Sequence, residues 1–381
     1  MPEPFVMCSN EEYQERQNAK DVSEWEATEE TWTLQAKYRA LDPCLAVTKY
    51  RRSAAGTLPR KPRSLINIWK TWEHLKMILI HQRIHQNQSP QTLLSAVCFI
   101  NNRLRALQVD LVVSQRVSGI FQLQVTRYHI LTLYLLSNVP TQLFEPKFAR
   151  VGLQTALTSF WDDPTSEEWT KDEILCYSTL CHVAASLNND LCVMGNEGAA
   201  MTLEITSMYR NYVAKDQKYR RFSQALSIAV DIQSQHFYIA LSKIHALPIM
   251  DRLCLAPCLH RLRWLCLHQF NKAFPRGHAL PPSEVARLLY LPSEEAATEF
   301  ATSSGIAIDK DGNLQFKLAP MTECKISPSH LRRWDDWFCF GDTISFRTDN
   351  DQVTIPCPEI LHNLISSESR HQKNTGFTQI P

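Results

Sequence analysis

From about Gln91 to Leu267 the chain runs through stretches of roughly 12 to 25 residues that are apolar at three- and four-residue intervals. Short polar breaks such as SNVPTQ, DDPTSEE and LNNDL part them. This succession constrains the fold more than any other feature, because each such helix must bury its apolar stripe against another helix. No fixed repeat length relates the stretches, so the pattern predicts a mainly α protein: an irregular, TPR-like stack of helical pairs. Only 10 glycines occur in 381 residues, too few for glycine-punctuated sandwiches or dinucleotide folds.

The flanks read differently. LDPCLAVTKY predicts a short helix with Asp42 as N-cap and Pro43 at its first position, breaking into a proline-punctuated basic loop that runs to about Arg63. Ser64 caps the next expected helix, 64–86, with Leu65, Ile68, Trp69, Trp72, Leu75 and Leu79 on its apolar face. After Leu280 come a proline-started helix, a turn at Pro292, a second helix ending at Gly305 and two short alternating runs around DKDG. That is the order of a winged helix. Beyond Met321 the pattern weakens to one expected strand at DTISFRT and a disordered tail. The expected organisation is an acidic amino-terminal arm (1–36), a helical repeat domain (37–279), a winged-helix subdomain capping it (280–320) and a partly disordered extension (321–381).

Charge is balanced overall, at 40 basic against 39 acidic residues, so partners must be sought in its distribution. Residues 1–30 are acidic, whereas 31–70 set nine lysines and arginines against the single Asp42. Lys49, Arg51, Arg52, Arg60, Lys61 and Arg63 are therefore the expected nucleic-acid-binding residues, with Arg261, Arg263, Lys272 and Arg276 as a second group. The alternatives are a solvated basic surface or a dock for the acidic arm. In the second helix of the winged-helix stretch, Glu294, Glu295 and Glu299 repel phosphate, which argues against groove reading there and for docking to another protein.

Twelve cysteines are scattered with no CxxC pair, which predicts free thiols in a reducing compartment. Cys254, Cys258, His260, Cys266 and His268 crowd one expected helix, where a zinc tetrahedron does not close, and His81 with His85 lacks a third ligand nearby. There is no GxGxxG, Walker loop, HExxH or GxSxG, and Gly195 and Gly198 are too few for a phosphate cradle. No cofactor, metal or enzymatic activity is expected. No apolar run approaches the roughly 18 residues of a membrane span.

The segment FINNRLRALQVDL carries Arg103, Arg105 and Asp110 through an apolar region. On a helical wheel Ile100, Leu104, Leu107 and Leu111 share one face, and Cys98, Val109, Val112 and Val113 the other. Apolar on both sides, this helix is expected between two layers of the stack, its charges paired as internal staples.

These residues resemble the GANP, or Sac-three homology, proteins of mRNA export. The family's Phe-Val-x-Asp-Arg-x-Arg-Ala helix, continuing to Arg-x-Asp and a Gln, is matched by Phe99, Arg103, Arg105, Ala106, Asp110 and Gln115. Asn102 replaces the usual aspartate and Gln108 the usual arginine. LDPCLAVTKYRRSAAG is similar to the family's Asp-Pro motif with its Lys-x-Tyr-x-Arg-x-Ala-Ala run, and Met7, Cys8, Glu12 and Arg16 to its Met-Cys-Pro motif, with Ser9 in place of proline. Covering residues 7 to 330 or so, the resemblance implies a PCI-like architecture and a scaffolding role in the nucleus and at its pores. It implies pairing with a second PCI-domain protein and a small acidic subunit, and an RNA-binding platform of joined winged helices. Without phenylalanine-glycine repeats or a long centrin-binding helix, the chain is similar to short, domain-only members linked to centrosomes and spindles. The alternative role is therefore a protein-interaction module of centrosome and spindle in the cytoplasm, without RNA.

Overall fold

The computed structural model describes residues 6–51, 62–79, 81, 90–116, 118–137, 139, 142–187, 219–317, 321–322, 326, 328–340 and 358–366. It is mainly helical. The chain divides into two compact units, residues 1–118 with 352–381 and residues 119–351, a division that falls inside the stretch expected as one helical domain.

In the first unit, α1 (Asn10–Asn18), α2 (Leu65–Leu79), α3 (Pro90–Val113) and α14 (Pro358–Ser366) are the helices. Cys8, Val22 and Ala27, from the stretch expected as an arm (1–36), form a core with Leu41 and Ala46, flanked by Tyr13 and Trp32. The helix expected at Asp42 is a single turn, in which Asp42 Oδ1 accepts from Cys44 N at 2.7 Å and the Asp42 carbonyl from Ala46 N at 2.9 Å. It stops there because the Val47 amide is taken by the buried Glu26 carboxylate at 2.8 Å. Ser64 does cap α2, accepting from Asn67 N at 3.2 Å, and Ile68, Trp72, Leu75 and Leu79 line its buried face. The expected continuation through 82–86 lies outside the described residues, as do DTISFRT and the tail after 366.

The expectation for α3 is half corrected. Ile100, Leu104, Leu107 and Leu111 are buried, but Cys98, Val109, Val112 and Val113 are exposed, Val112 at 76%. One layer covers this helix, not two. Its end is a Schellman turn: Gln115 N donates to the Val112 carbonyl and Arg116 N to that of Leu111, both at 3.0 Å, with Gln115 in the left-handed region at φ 52°.

The doubly covered helix is in the second unit. α4 (Gly119–Leu135) is buried along nearly its whole length and packs against α5 (Pro146–Ser159), α6 (Glu168–Leu187) and α9 (Ile249–Leu255). α7 (Arg220–Gln233) lies on α6, and α8 (Phe237–His245) on both α7 and α10 (Leu259–Ala273). Then follow β1 (Ala279–Leu280), α11 (Pro282–Leu289), α12 (Glu294–Ser303), β2 (Ala307–Ile308) and β3 (Leu314–Gln315). The strands form an antiparallel sheet in the order β1-β3-β2. Tyr290, left-handed at φ 52°, ends α11, Ser293 caps α12, and Gly312 at φ 85° turns the β2–β3 hairpin. The region after 321 holds a helix that weak patterning hid. α13 (Pro328–Phe340) buries Trp334, Phe338, Cys339 and Phe340, and Asp336 accepts a hydrogen bond from the Tyr134 hydroxyl.

Candidate nucleic-acid interface

The charged residues sort into three groups: buried pairs, exposed pairs closed within the chain, and cations facing solvent.

Glu26 is fully buried in the first unit. Its carboxylate accepts from Arg16 Nη1 at 3.0 Å and from Arg103 Nη2 at 2.8 Å, with a second contact from Arg16 Nη2. Burial pushes this carboxyl up, but Arg103, Arg16 and the Val47 amide outweigh it and hold it below the usual range. Arg103 stacks over Phe99, 4.5 Å from the ring centroid. The Asn102 amide oxygen accepts from Arg103 Nη1 at 2.6 Å and from Tyr50 N at 3.2 Å. Within the family-like motif Phe99 and Arg103 stack on each other, Gln115 ends α3 in the left-handed region, and Asp110 pairs with Arg63. Arg105 is exposed. Glu26 itself carried no pattern in the sequence.

The second unit repeats the device. Arg127 of α4 meets Glu173 of α6 at 2.7 Å, and Arg221 of α7 meets Glu173 at 2.7 Å and also Asp251 of α9. Asp172 caps α7, accepting from Phe222 N at 2.9 Å.

The expected nucleic-acid strip is closed within the chain wherever it is described. Lys49 Nζ donates to both carboxylate oxygens of Asp21 at 2.9 Å. Arg51 pairs with Glu15 of α1, and Arg63 also donates from Nη1 to the Met7 carbonyl at 3.2 Å. Partial burial pushes Asp21 up, yet Lys49 outweighs it and the carboxyl sits below its ordinary value. Arg52, Arg60 and Lys61 lie outside the described residues.

The second group divides. Arg263 is fully buried, bound to Asp335 at 2.7 Å and to the carbonyls of Leu289 and Tyr290; it ties α10 to α11 and α13 and cannot reach a ligand. The other side of α10 is open. Leu259, Leu262, Cys266 and Leu267 face inward, while Arg261, Trp264 and His268 are half-buried and Lys272 exposed. The Arg261 guanidinium sits 4.6 Å over the Trp264 ring, and Trp264 stacks on His268 at 5.1 Å with an interplanar angle of 13°. Burial first, and then the charges of Lys272 and Arg261, hold His268 below its ordinary value. Among the described residues Lys272 and Arg276 enter no ion pair. Spacing of three, four and four residues from 261 to 272 would have revealed this column; the cations stand out in the sequence, and the rings between them do not.

Cys254, Cys258 and Cys266 are buried, His268 is in the stack, and no group of three or more ligating side chains among the described residues could hold a metal ion. Among the same residues no helix is long and apolar enough to cross a membrane.

The described residues thus form a helical molecule held by internal charge pairs, with a small sheet-and-helix element beside the cationic face of α10. The chain belongs to the SAC3/GANP family, whose model matches residues 7–310. That family is one of scaffold proteins associated with nuclear mRNA export. No curated protein matches the chain.

Proposed function

We propose that this protein is a non-enzymatic scaffold of a nuclear transcription-export complex, associated with the nuclear pore. It pairs with a second PCI-domain protein and a small acidic subunit, and it binds RNA along the open face of α10. The strand order β1-β3-β2 with α11 and α12 between β1 and β2 supports reading residues 279–315 as a winged helix capping a TPR-like helical stack. The acids of α12 disfavour phosphate, which favours that element as the protein-docking surface.

The observation that carries the RNA reading is the Arg261–Trp264–His268 column with Lys272 one turn beyond. With Trp264 sandwiched between them, the outer faces of the Arg261 guanidinium and the His268 ring suit stacking by bases of a single strand, at about 1–3 kcal/mol for each stacked base, and Lys272 suits its phosphates. The closed pairs of Lys49, Arg51 and Arg63 make the basic strip the weaker candidate. They are also what favours the second reading, a protein-only module at centrosome or spindle.

The test is salt-dependent binding of a labelled single-stranded RNA to the complex with its PCI partner. Replacing Arg261, Lys272 and Arg276 with glutamine should lower affinity and flatten the slope of log K against log salt by about 0.7 for each phosphate that the protein no longer neutralises. An unchanged slope refutes the α10 site, and no RNA binding by the unaltered complex leaves the centrosomal reading. Glu294→Lys with Glu295→Lys and Glu299→Lys should weaken capture of the PCI partner, and retained capture removes α12 from that interface.

A further inference from the structure

The outward side of α3 is a column of exposed residues: Cys98, Arg105, Val109, Val112 and Val113, the three valines at 41%, 76% and 39%. At 100° per residue these positions share an arc of about 100° on the helix. From Cys98 to Val113 the column runs about 22 Å, roughly four turns.

Inward packing does not account for the valines. Leu104, Leu107 and Leu111 fill the buried side of the same turns, and β-branched side chains are poorer helix formers than the alanine, glutamate or lysine that suit a solvent-facing position. Burial is what offsets that cost. Charge on the column has one sign. Asp110, the only carboxylate of α3, is turned to Arg63, which leaves Arg105 exposed in the middle of the column and Arg116 exposed just past its end.

We infer that this column docks an acidic amphipathic helix of a partner protein, with apolar residues at three- and four-residue spacing along the valines and carboxylates on its flanks meeting Arg105 and Arg116. Charge complementarity selects this occupant. A second copy of the chain would meet like with like, because two-fold pairing about the midpoint of the column sets Arg105 against the same residue of the copy. A nucleic-acid strand would meet cations but no flat face to stack on, since the column holds no aromatic ring. The inference is independent of RNA binding at α10 and of docking through α12.

Its test uses the full chain and two fluorescein-labelled synthetic peptides of about 15 residues, matched in length to the column. One has leucines at the helical spacing and glutamates on both flanks, and the other has lysines in place of the glutamates. Fluorescence anisotropy should show the glutamate peptide binding about tenfold tighter than the lysine peptide, a choice that needs no substitution in the protein. Val109→Ser with Val112→Ser should weaken that binding by a similar factor, and Arg105→Glu with Arg116→Glu should reverse the preference in favour of the lysine peptide. All four positions are exposed, and an unchanged melting temperature by circular dichroism establishes that the variants keep the fold. Equal affinity for the two peptides, binding that survives the valine changes, or a preference that charge reversal leaves as it was overturns the proposal. So does a dimer of the unaltered chain in sedimentation equilibrium that Val112→Ser dissolves, since a second copy would then hold the column.

Discussion

Replacing Glu26 with glutamine tests the reading of the family-like motif as a charge hub. The side chain keeps its shape, and its remaining oxygen can still accept from Val47 N, which lies 2.8 Å from Oε1. What it loses is the negative charge between Arg16 and Arg103, both at least 96% buried. Burial and the nearby Arg16 already hold Arg103 below its ordinary value despite Glu26. Glutamine would turn an N–H toward a guanidinium that is itself a donor. Removing one partner of a buried ion pair costs about 3–5 kcal/mol, which for a unit of this size lowers the melting temperature by roughly 2–4 °C per kcal/mol. Urea unfolding followed by tryptophan fluorescence, with Trp25 and Trp72 buried in this unit, measures the loss. Glu15→Gln is the control. Its pair with Arg51 is exposed on both sides, so it should stay within about 0.5 kcal/mol of the unaltered protein. A Glu26→Gln variant as stable as that control would refute the hub.

The remaining predictions rest on the same contacts. Glu173→Gln leaves Arg127 and Arg221 facing each other across α6 and should destabilise the second unit by about 3–5 kcal/mol in the same assay. Gly152→Ala puts a methyl 2.5 Å from the buried His129 ring and should cost about 1–3 kcal/mol by differential scanning calorimetry. Folding holds Glu26 below its unfolded value, so its contribution is complete above the unfolded pKa of about 4.3 and is lost as pH falls through the lower folded value. Amide exchange at Val47 should therefore stay protected at pH 5 and open only once the pH has fallen below the unfolded value. Asn102→Asp would give Arg103 a second carboxylate and should stabilise the first unit by about 1 kcal/mol, raising its urea midpoint.

What the sequence revealed depended on whether the signal was periodic. Apolar spacing found α2 and the buried stripe of α3, and turn chemistry at Pro292 and DKDG found the order of α11, α12, β2 and β3. The same spacing overestimated the cover on α3, because Val109, Val112 and Val113 carry the same hydropathy whether or not a neighbour arrives. Non-periodic structure was hidden. Nothing in SEWEATEE marks Glu26 as buried while Glu24 is not, since that difference comes from guanidiniums at positions 16 and 103. α13 was missed because Arg332, Arg333, Asp335 and Asp336 break up its apolar residues, and two of these charges are used inward, Asp335 on Arg263 and Asp336 on Tyr134.

Two buried carboxylates carry information that charge counting along the sequence does not. In each unit one glutamate bridges two arginines: Glu26 joins Arg16 to Arg103, and Glu173 joins Arg127 to Arg221. A guanidinium satisfies a carboxylate through directed hydrogen bonds, so such a bridge fixes the register between segments that apolar packing alone would let slide. Those arginines are committed inside the protein, and Lys49, Arg51 and Arg63 are closed on its own carboxylates near the surface. A polyanion that binds through charge must meet cations it does not first have to free. Among the described groups weighed as nucleic-acid contacts, Lys272 and Arg276 meet that condition, and they stand beside the stacked rings of α10. The physical distinction between a staple and a contact is therefore whether the counter-charge is already present in the fold.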